Sequence, residues 1–200
     1  PYEVILIAGK GHETYQDLGK RKIFLSDKKI VKNFTIPNTH FNKKNNNLKY
    51  NGAILKKVLK TKKNYFFDGV SINSQKTKNK NLFIAIKGKR KDGHNFLKQA
   101  IKNGANYCVI SRSNKKEQKF IRVKNTMGFL NRLAENKRNL SSAKFIAVTG
   151  SSGKTTVKTM LGNLLREHSK TYFSPQSYNN QYGVPLSISN INPEDDFGVF

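Results

Sequence analysis

Apolar runs of four to six residues recur along this chain, and between them leucines, isoleucines and valines fall at helical spacing. Glu3–Ala8 carries Val-Ile-Leu-Ile-Ala without a polar break, the pattern of a strand buried on both faces. Gly9-Lys10-Gly11 then reads as a turn, and Ser26-Asp27 as the opening of a short helix. From Leu48 to Lys60 the apolar residues Ile54, Leu55, Val58 and Leu59 recur at i, i+1, i+4 and i+5, one stripe of a helix. Leu82–Ile86 is a second strand. Phe96, Leu97, Ala100 and Ile101 mark a helix face that Gly104 closes.

Tyr107–Ile110 and Phe120–Val123 read as further strands. Asn125 or Thr126 can cap a helix bearing Met127, Leu130 and Leu133. Phe145-Ile146-Ala147-Val148 is the last clear strand. Behind it Val157, Met160, Leu161, Leu164 and Leu165 fall at i, i+3, i+4, i+7 and i+8, which predicts one buried helix face. Strand and helix alternate throughout, so the expected class is α/β with at least partly parallel sheets. The polar stretch Asn33 to Asn47 interrupts this rhythm. It holds Pro37 and Asn45-Asn46-Asn47 and has no periodicity, which makes it the natural linker. The segments are therefore 1–32, a linker at 33–47, a domain at 48–142, and a further domain opening at 143–200. No internal repeat is visible.

Composition changes this picture little. A formal charge of +26 over 200 residues invites a nucleic-acid reading. However, 31 of the 38 basic residues are lysine, whereas base and phosphate forks favour arginine. The lysines are also spread over the whole chain rather than gathered in one stripe. With 24 asparagines alongside, they look like a compositional drift, and the expectation is no specific nucleic-acid partner. Val4–Ala8 is too short to span a membrane and no signal-peptide pattern surrounds it, so the expected partners include no membrane. Cys108 is the only cysteine, so a disulfide within the chain is excluded and a reducing cytoplasm fits. It lies in an apolar run, as expected of a core residue. The histidines show no metal-ligand spacing. Both ends of the chain read as cut from something longer.

The chemistry concentrates at Val148-Thr149-Gly150-Ser151-Ser152-Gly153-Lys154-Thr155-Thr156. A strand, a turn of small residues and Lys-Thr at a helix start form a cradle for a nucleoside triphosphate. Small side chains let backbone N–H groups approach phosphate oxygens, and the helix N-terminus adds partial positive charge. Lys154 can reach the outer phosphates, and the Thr155 hydroxyl can ligate Mg²⁺. The general P-loop asks for glycine where Val148 stands. On these residues alone, a strand-to-helix turn with an exposed lysine and another P-loop NTPase both stay open.

Three ordered stretches resemble the Mur ligases of bacterial peptidoglycan synthesis. Ala147–Thr156 is similar to their ATP loop, which also lacks the first glycine. Asn179-Asn180-Gln181-Tyr182-Gly183-Val184-Pro185-Leu186 resembles the Asn-Asn-x-x-Gly-x-Pro-Leu segment of the member that adds D-alanyl-D-alanine to UDP-N-acetylmuramoyl-tripeptide. Asp68–Ser74, Leu82–Gly88 and Asp92-Gly93-His94 resemble the N-terminal UDP-sugar domain. Separately, Ala8–Gln16 and Phe24–Asp27 look like the C-terminal end of the ligase acting one step earlier, which adds the third residue. The resemblance thus implies the tail of a Rossmann-like domain at 1–32 and a small UDP-sugar-binding domain at 48–142. At 143–200 it implies the start of a P-loop ATPase domain. A fused bifunctional protein and a mis-joined reading frame would both give this order.

The resemblance implies ligation through an acyl phosphate, with ATP and Mg²⁺ as cofactors and a cytoplasmic enzyme that is monomeric at full length. Its small-molecule partners would be a UDP-N-acetylmuramoyl-peptide and D-alanyl-D-alanine. Gly150, Ser151, Ser152, Gly153, Lys154, Thr155 and Thr156 would hold the nucleotide, with Lys154 and Thr155 closest to the chemistry. Asn179 and Asn180 would face phosphate or substrate carboxylate, and an asparagine-rich turn is the competing reading. Ser74 with Lys89, Arg90 and Lys91 would meet the UDP moiety. The family commonly shows Asp-Ser-Arg where this chain has Asn73-Ser74-Gln75. Gly9 and Glu13 match positions that contact the amino acid of the preceding ligase. Glu194-Asp195-Asp196 reads as a solvated loop. The 200 residues alone are expected to show no ligase turnover. A basic nucleic-acid-binding module, another P-loop NTPase and an inactive scaffold are the rival classes.

Overall fold

The computed structural model describes the backbone of residues 4–8, 15–17, 22–24 and 47–50. It describes backbone and side chains of 51–88, 91–112, 117–175 and 181–200. The chain divides into two compact units. One comprises Pro1–Lys43, Ser142–Tyr178 and Glu194–Phe200, and the other Lys44–Ser141 and Asn179–Pro193.

In the second unit, strands β4 (Val70–Ser71), β5 (Asn81–Ile84), β6 (Ala105–Ile110) and β7 (Phe120–Arg122) form a sheet in that order. All three pairings are parallel. Parallel neighbours require crossovers, and helix α2 (Leu97–Lys102) supplies the one between β5 and β6. Phe83, Ala85, Ala100, Ala105, Cys108 and Ile110 are buried together between helix and sheet, with Leu97, Ile101 and Phe120 packed on them. The expected helix at Leu48–Lys60 is α1, Asn47–Leu59. Asn51 on α1 donates through Nδ2 to the carbonyls of Phe67 and Asp68, fixing the approach to β4.

Helix α3 (Thr126–Leu140) starts where the sequence expects it. The Asn125 side chain accepts from the amides of Met127 and Gly128 at 2.9 and 3.0 Å, satisfying two first-turn donors. Its buried face includes Phe129, Leu130, Leu133, Ala134 and Lys137. Lys137 is only 1% exposed, and its Nζ donates to the Ile191 carbonyl at 2.6 Å. Ile191 follows a short helix α4 (Gly183–Ser189). Asn190 then treats the edge strand as a backbone partner. Its Oδ1 accepts from Val70 N at 2.8 Å and its Nδ2 donates to Val70 O at 3.0 Å. Such pairing closes an edge that would otherwise stand open.

In the first unit the sheet order is β1 (Val4–Ala8), β8 (Lys144–Thr149), β10 (Phe197–Val199), β9 (Thr171–Phe173), all parallel. A separate antiparallel pair joins β2 (Tyr15–Asp17) and β3 (Lys22–Phe24). Helix αP (Lys154–Arg166) packs on the sheet through Leu161 and Leu165, against Ile146, Phe197 and Val199. The expected apolar face of this helix needs correction. Met160 and Leu164 are 58% and 39% exposed, and Lys158 and Gly162 take their place inside. The inward stripe is 158, 161, 162 and 165, rotated from the one that hydrophobicity alone suggests. The reason is Phe173. A Cβ on Gly162 would lie 2.4 Å from its Cδ1, so the helix approaches β9 through its glycine. The acidic run is a second correction. Asp195 is buried, Glu194 pairs with Lys170, and Asp196 Oδ2 accepts from Lys170 N at 3.0 Å. Those residues hold the start of β10 rather than standing in solvent.

Candidate functional site

The phosphate-cradle candidate lies at the carboxyl end of β8, which is flanked on both sides by parallel neighbours. Val148 N donates to Phe200 O at 2.7 Å and Phe200 N to Ile146 O at 2.9 Å, so the ladder extends to the brink of the loop. The chain then turns through Gly150–Gly153. Gly153 is the N-cap residue of αP with φ 73°, a left-handed conformation that a side chain disfavours. Its carbonyl accepts from Val157 N at 2.9 Å, the first helical bond. Amides of a first turn have no intrahelical partner, and those of Lys154, Thr155 and Thr156 are therefore directed at the loop's mouth.

Ser151, Ser152, Gly153, Thr155 and Thr156 are exposed, and Gly150 and Lys154 half-buried. The Lys154 ammonium folds back over the loop, donating to Gly150 O at 2.5 Å and more weakly to Ser151 O at 3.4 Å. All seven loop residues that the sequence singled out are thus brought together on one strand-to-helix connection. This donor set suits a triphosphate: backbone N–H groups, an ammonium, and the Thr155 hydroxyl as an oxygen ligand for Mg²⁺. Among the described residues no group of three or more His, Cys, Asp or Glu could hold a metal.

One turn beyond Lys154 stands a residue the hydrophobic pattern missed. Lys158 is 6% exposed, and its Nζ donates to Ser174 O at 2.6 Å and to Ser174 Oγ at 2.9 Å. Burial pushes its pKa below the usual lysine value. Ser174 N donates in turn to Val199 O at 3.0 Å. The end of β9 is thereby fixed to the P-loop helix, and the chain continues from it in sequence towards Asn179 and Asn180. Those two asparagines lie outside the described residues, as do Gly9, Glu13, Lys89 and Arg90. The only signal for Lys158 in the sequence is its place four residues after Lys154.

The second unit carries a cavity of about 240 Å³ at the carboxyl ends of β5, β6 and β7. Lys87, Ser111, Lys124, Asn125 and Thr126 line it, with Gln181 and Tyr182. Ligands of parallel α/β sheets bind at this end of the strands. Two lysines and several hydroxyl and amide groups give it an anion-binding character. Ser74 does not line it. Its hydroxyl is bonded to Gln99 Oε1 at 2.8 Å, its carbonyl accepts from Asn103 Nδ2 at 2.7 Å, and it is buried. Lys91 is exposed, beside Asp92. Sequence reasoning overlooked Lys87, Ser111 and Lys124, because each is a polar residue just past a strand end in a chain full of such residues.

Residues 67–138 match the family described as Mur ligase family, catalytic domain, and residues 148–200 match Mur ligase middle domain. The two matches run in order over most of the described chain. The chain belongs to the Mur ligase family. Its curated relatives include UDP-N-acetylmuramoyl-tripeptide--D-alanyl-D-alanine ligases. That of Rickettsia prowazekii is 37% identical over 134 residues, covering 66% of this chain and 29% of the relative. That of Escherichia coli is 36% identical over 132 residues, with the same two shares, 66% and 29%. Among solved structures, a MurF of Acinetobacter baumannii superposes with a TM-score of 0.62 at 29% identity, covering 74% of this chain and 34% of that one. The MurF ligase of Thermotoga maritima in complex with ADP has a TM-score of 0.54 at 36% identity, over 66% of this chain and 31% of the other. The chain therefore spans about a third of the length of its Mur ligase relatives. The matched regions, 67–138 and 148–200, fall where the sequence motifs put them.

Proposed function

We propose that this chain is part of an ATP-dependent amide ligase that joins D-alanyl-D-alanine to UDP-N-acetylmuramoyl-tripeptide. The observation that carries the reading is the Gly150–Thr156 loop on a parallel strand, in a chain whose relatives bear that ligase name and include one solved with ADP. The substrate carboxylate attacks the γ-phosphorus of ATP, the bond to the β,γ-bridging oxygen breaks, and ADP leaves. The amine of the dipeptide then attacks the acyl phosphate, and inorganic phosphate departs as the amide forms. Phosphoryl transfer depends on positioning and on neutralising charge. Amides at the start of αP and the Lys154 ammonium supply both, and Lys154 must leave Gly150 O to reach a phosphate. Mg²⁺, when bound, would screen charge between the phosphates and is served by Thr155.

The cavity beside Lys87 and Lys124 is read as the place for the nucleotide-sugar part of the substrate, with Lys89, Arg90 and Lys91 close by in sequence. Asn179 and Asn180 remain candidates for substrate carboxylate or phosphate. Residues 1–32, with Gly9 and Glu13, are read as the tail of the preceding ligase, joined through 33–47. ATP and nucleotide-activated sugars place the reaction in the cytoplasm. Among the described residues no helix is long and apolar enough to cross a membrane.

The test uses a ligase of the relatives' full length carrying these residues, with Lys154→Ala. Release of ADP dependent on both substrates is expected to fall at least about 100-fold, as for loss of a group acting mainly in the transition state. Unchanged turnover would remove Lys154 from the mechanism.

A further inference from the structure

Outside the phosphate loop, three polar side chains form a connected set that the proposed reaction does not use. Asp92 caps the 3₁₀ turn Gly93–Phe96, its Oδ1 accepting from His94 N at 3.0 Å and from the His94 ring at Nδ1, 2.6 Å. On the other edge of the same ring, Nε2 accepts from Ser111 N at 3.0 Å, with Ser111 Oγ at 3.3 Å. A backbone N–H can only donate, so Nε2 must present its lone pair. The ring proton therefore sits on Nδ1 and is donated to Asp92. This fixes the tautomer, and it fixes the ring as neutral, because an imidazolium would set an N–H against the N–H of Ser111. The His94 side chain itself is 9% exposed. Asp92 stays a carboxylate. Although burial alone would raise its pKa, the hydrogen bonds it accepts from the His94 amide and ring, with Arg112 nearby, hold it below the usual range.

The set connects two walls of the cavity. Asp92 is paired with Lys87 in an isolated antiparallel bridge, and Gly93 N donates to Ile86 O at 2.9 Å, so Asp92 and its turn hold the segment carrying Lys87. Ser111 is the first residue after β6. Lys87 and Ser111 both line the cavity, and His94 is bonded to the partner of one and to the backbone of the other. We propose that His94 is a positioning residue. As the neutral Nδ1–H tautomer it holds the strand ends bearing Lys87 and Ser111 at a fixed separation, so that the cavity is preformed for the anionic, nucleotide-bearing part of the substrate. The inference rests on reading that cavity as the substrate's site. Preformed walls cost no ordering when the ligand arrives, which is where such a residue contributes to affinity.

The experiment uses the 200-residue chain. Nitrogen-15 NMR of the ring at neutral pH is expected to show His94 as the Nδ1–H tautomer, coupled to the Ser111 amide. An Nε2–H ring or an imidazolium would overturn the proposal without reference to any ligand. Calorimetric titration with UDP-N-acetylmuramoyl-tripeptide then measures the consequence. His94→Ala is expected to bind about tenfold or more weakly, and His94→Gln, which can still offer an acceptor to Ser111, to recover part of the loss. Mg-ATP affinity should stay unchanged in both, which separates a local effect from general unfolding. Equal affinity of wild type and His94→Ala for the nucleotide sugar would refute the positioning role. If the wild-type chain does not bind the nucleotide sugar at all while the tautomer is as stated, the substrate-cavity reading falls and the positioning role falls with it.

Discussion

Single residues in this chain are dominated by what burial does to polar groups. Lys137 and Lys158 are almost fully enclosed, and each presents its ammonium to a main-chain carbonyl, Ile191 O in one case and Ser174 O in the other. Hydrophobicity scales place lysine outside, so neither was legible as a core position, and only three-dimensional neighbours reveal why they are tolerated. Cys108 behaves as its apolar run foretold. It is fully buried, and burial pushes the thiol from 9.0 up to about 12, with Lys119 pulling slightly the other way. The sign of its pH effect follows. Below about pH 9 folded and unfolded chains both keep the proton. Above it the unfolded chain releases the proton while the folded chain retains it, so folding stability falls as pH rises, by about 1.4 kcal/mol per unit. Urea unfolding at pH 8 and pH 10 should show wild type losing about 1.4 kcal/mol more than Cys108→Ala over that span. Parallel profiles for the two proteins would show that the thiol titrates normally.

At the scale of elements, the periodic pattern located α1, α3, αP and the strands β1, β5, β6, β7 and β8 close to their observed bounds. It failed on the orientation of αP and on six short pieces, β2, β3, β4, β9, β10 and α4. Those pieces run two to seven residues, too short for a period to emerge, and Pro185 in the first turn of α4 disguises it further. The misplaced face of αP has one physical cause, the close approach of Gly162 to Phe173. Arg166 lies over the other part of that contact, its guanidinium 4.3 Å from the Phe173 ring centroid. The ring is therefore held and cannot easily yield to a new methyl. Replacing Gly162 by alanine raises helix propensity by about 1 kcal/mol, yet overpacking of this kind costs about 1–3 kcal/mol. Gly162→Ala is expected to unfold at lower urea concentration, and Phe173→Leu in that background to restore part of the loss. An alanine variant more stable than wild type would mean the helix and β9 are not packed as described.

For the molecule as a whole, the sequence motifs pointed to both regions that the family matches cover: Asp68–His94 falls within 67–138, and Val148–Thr156 with Asn179–Leu186 within 148–200. The P-loop was readable because its chemistry is contiguous: seven neighbouring residues carry it. The cavity at the ends of β5, β6 and β7 was not, because Lys87, Ser111, Lys124 and Tyr182 come from four separate segments that only the parallel sheet and α3 assemble. The grouping of 179–193 with 44–141 was equally hidden, since it depends on Asn190 meeting Val70 and Lys137 meeting Ile191, each pair more than fifty residues apart. Net charge, at +26, was the most conspicuous whole-chain number and says least about the site. The central claim is that Gly150–Thr156 holds the phosphates of ATP. The most direct measurement is an amide NMR titration of the 200-residue chain with Mg-ATP, for wild type and Lys154→Ala. Saturable shifts centred on Gly150–Thr156 that vanish in the variant are expected. Shifts confined to other residues, or equal affinity in the two proteins, would contradict it.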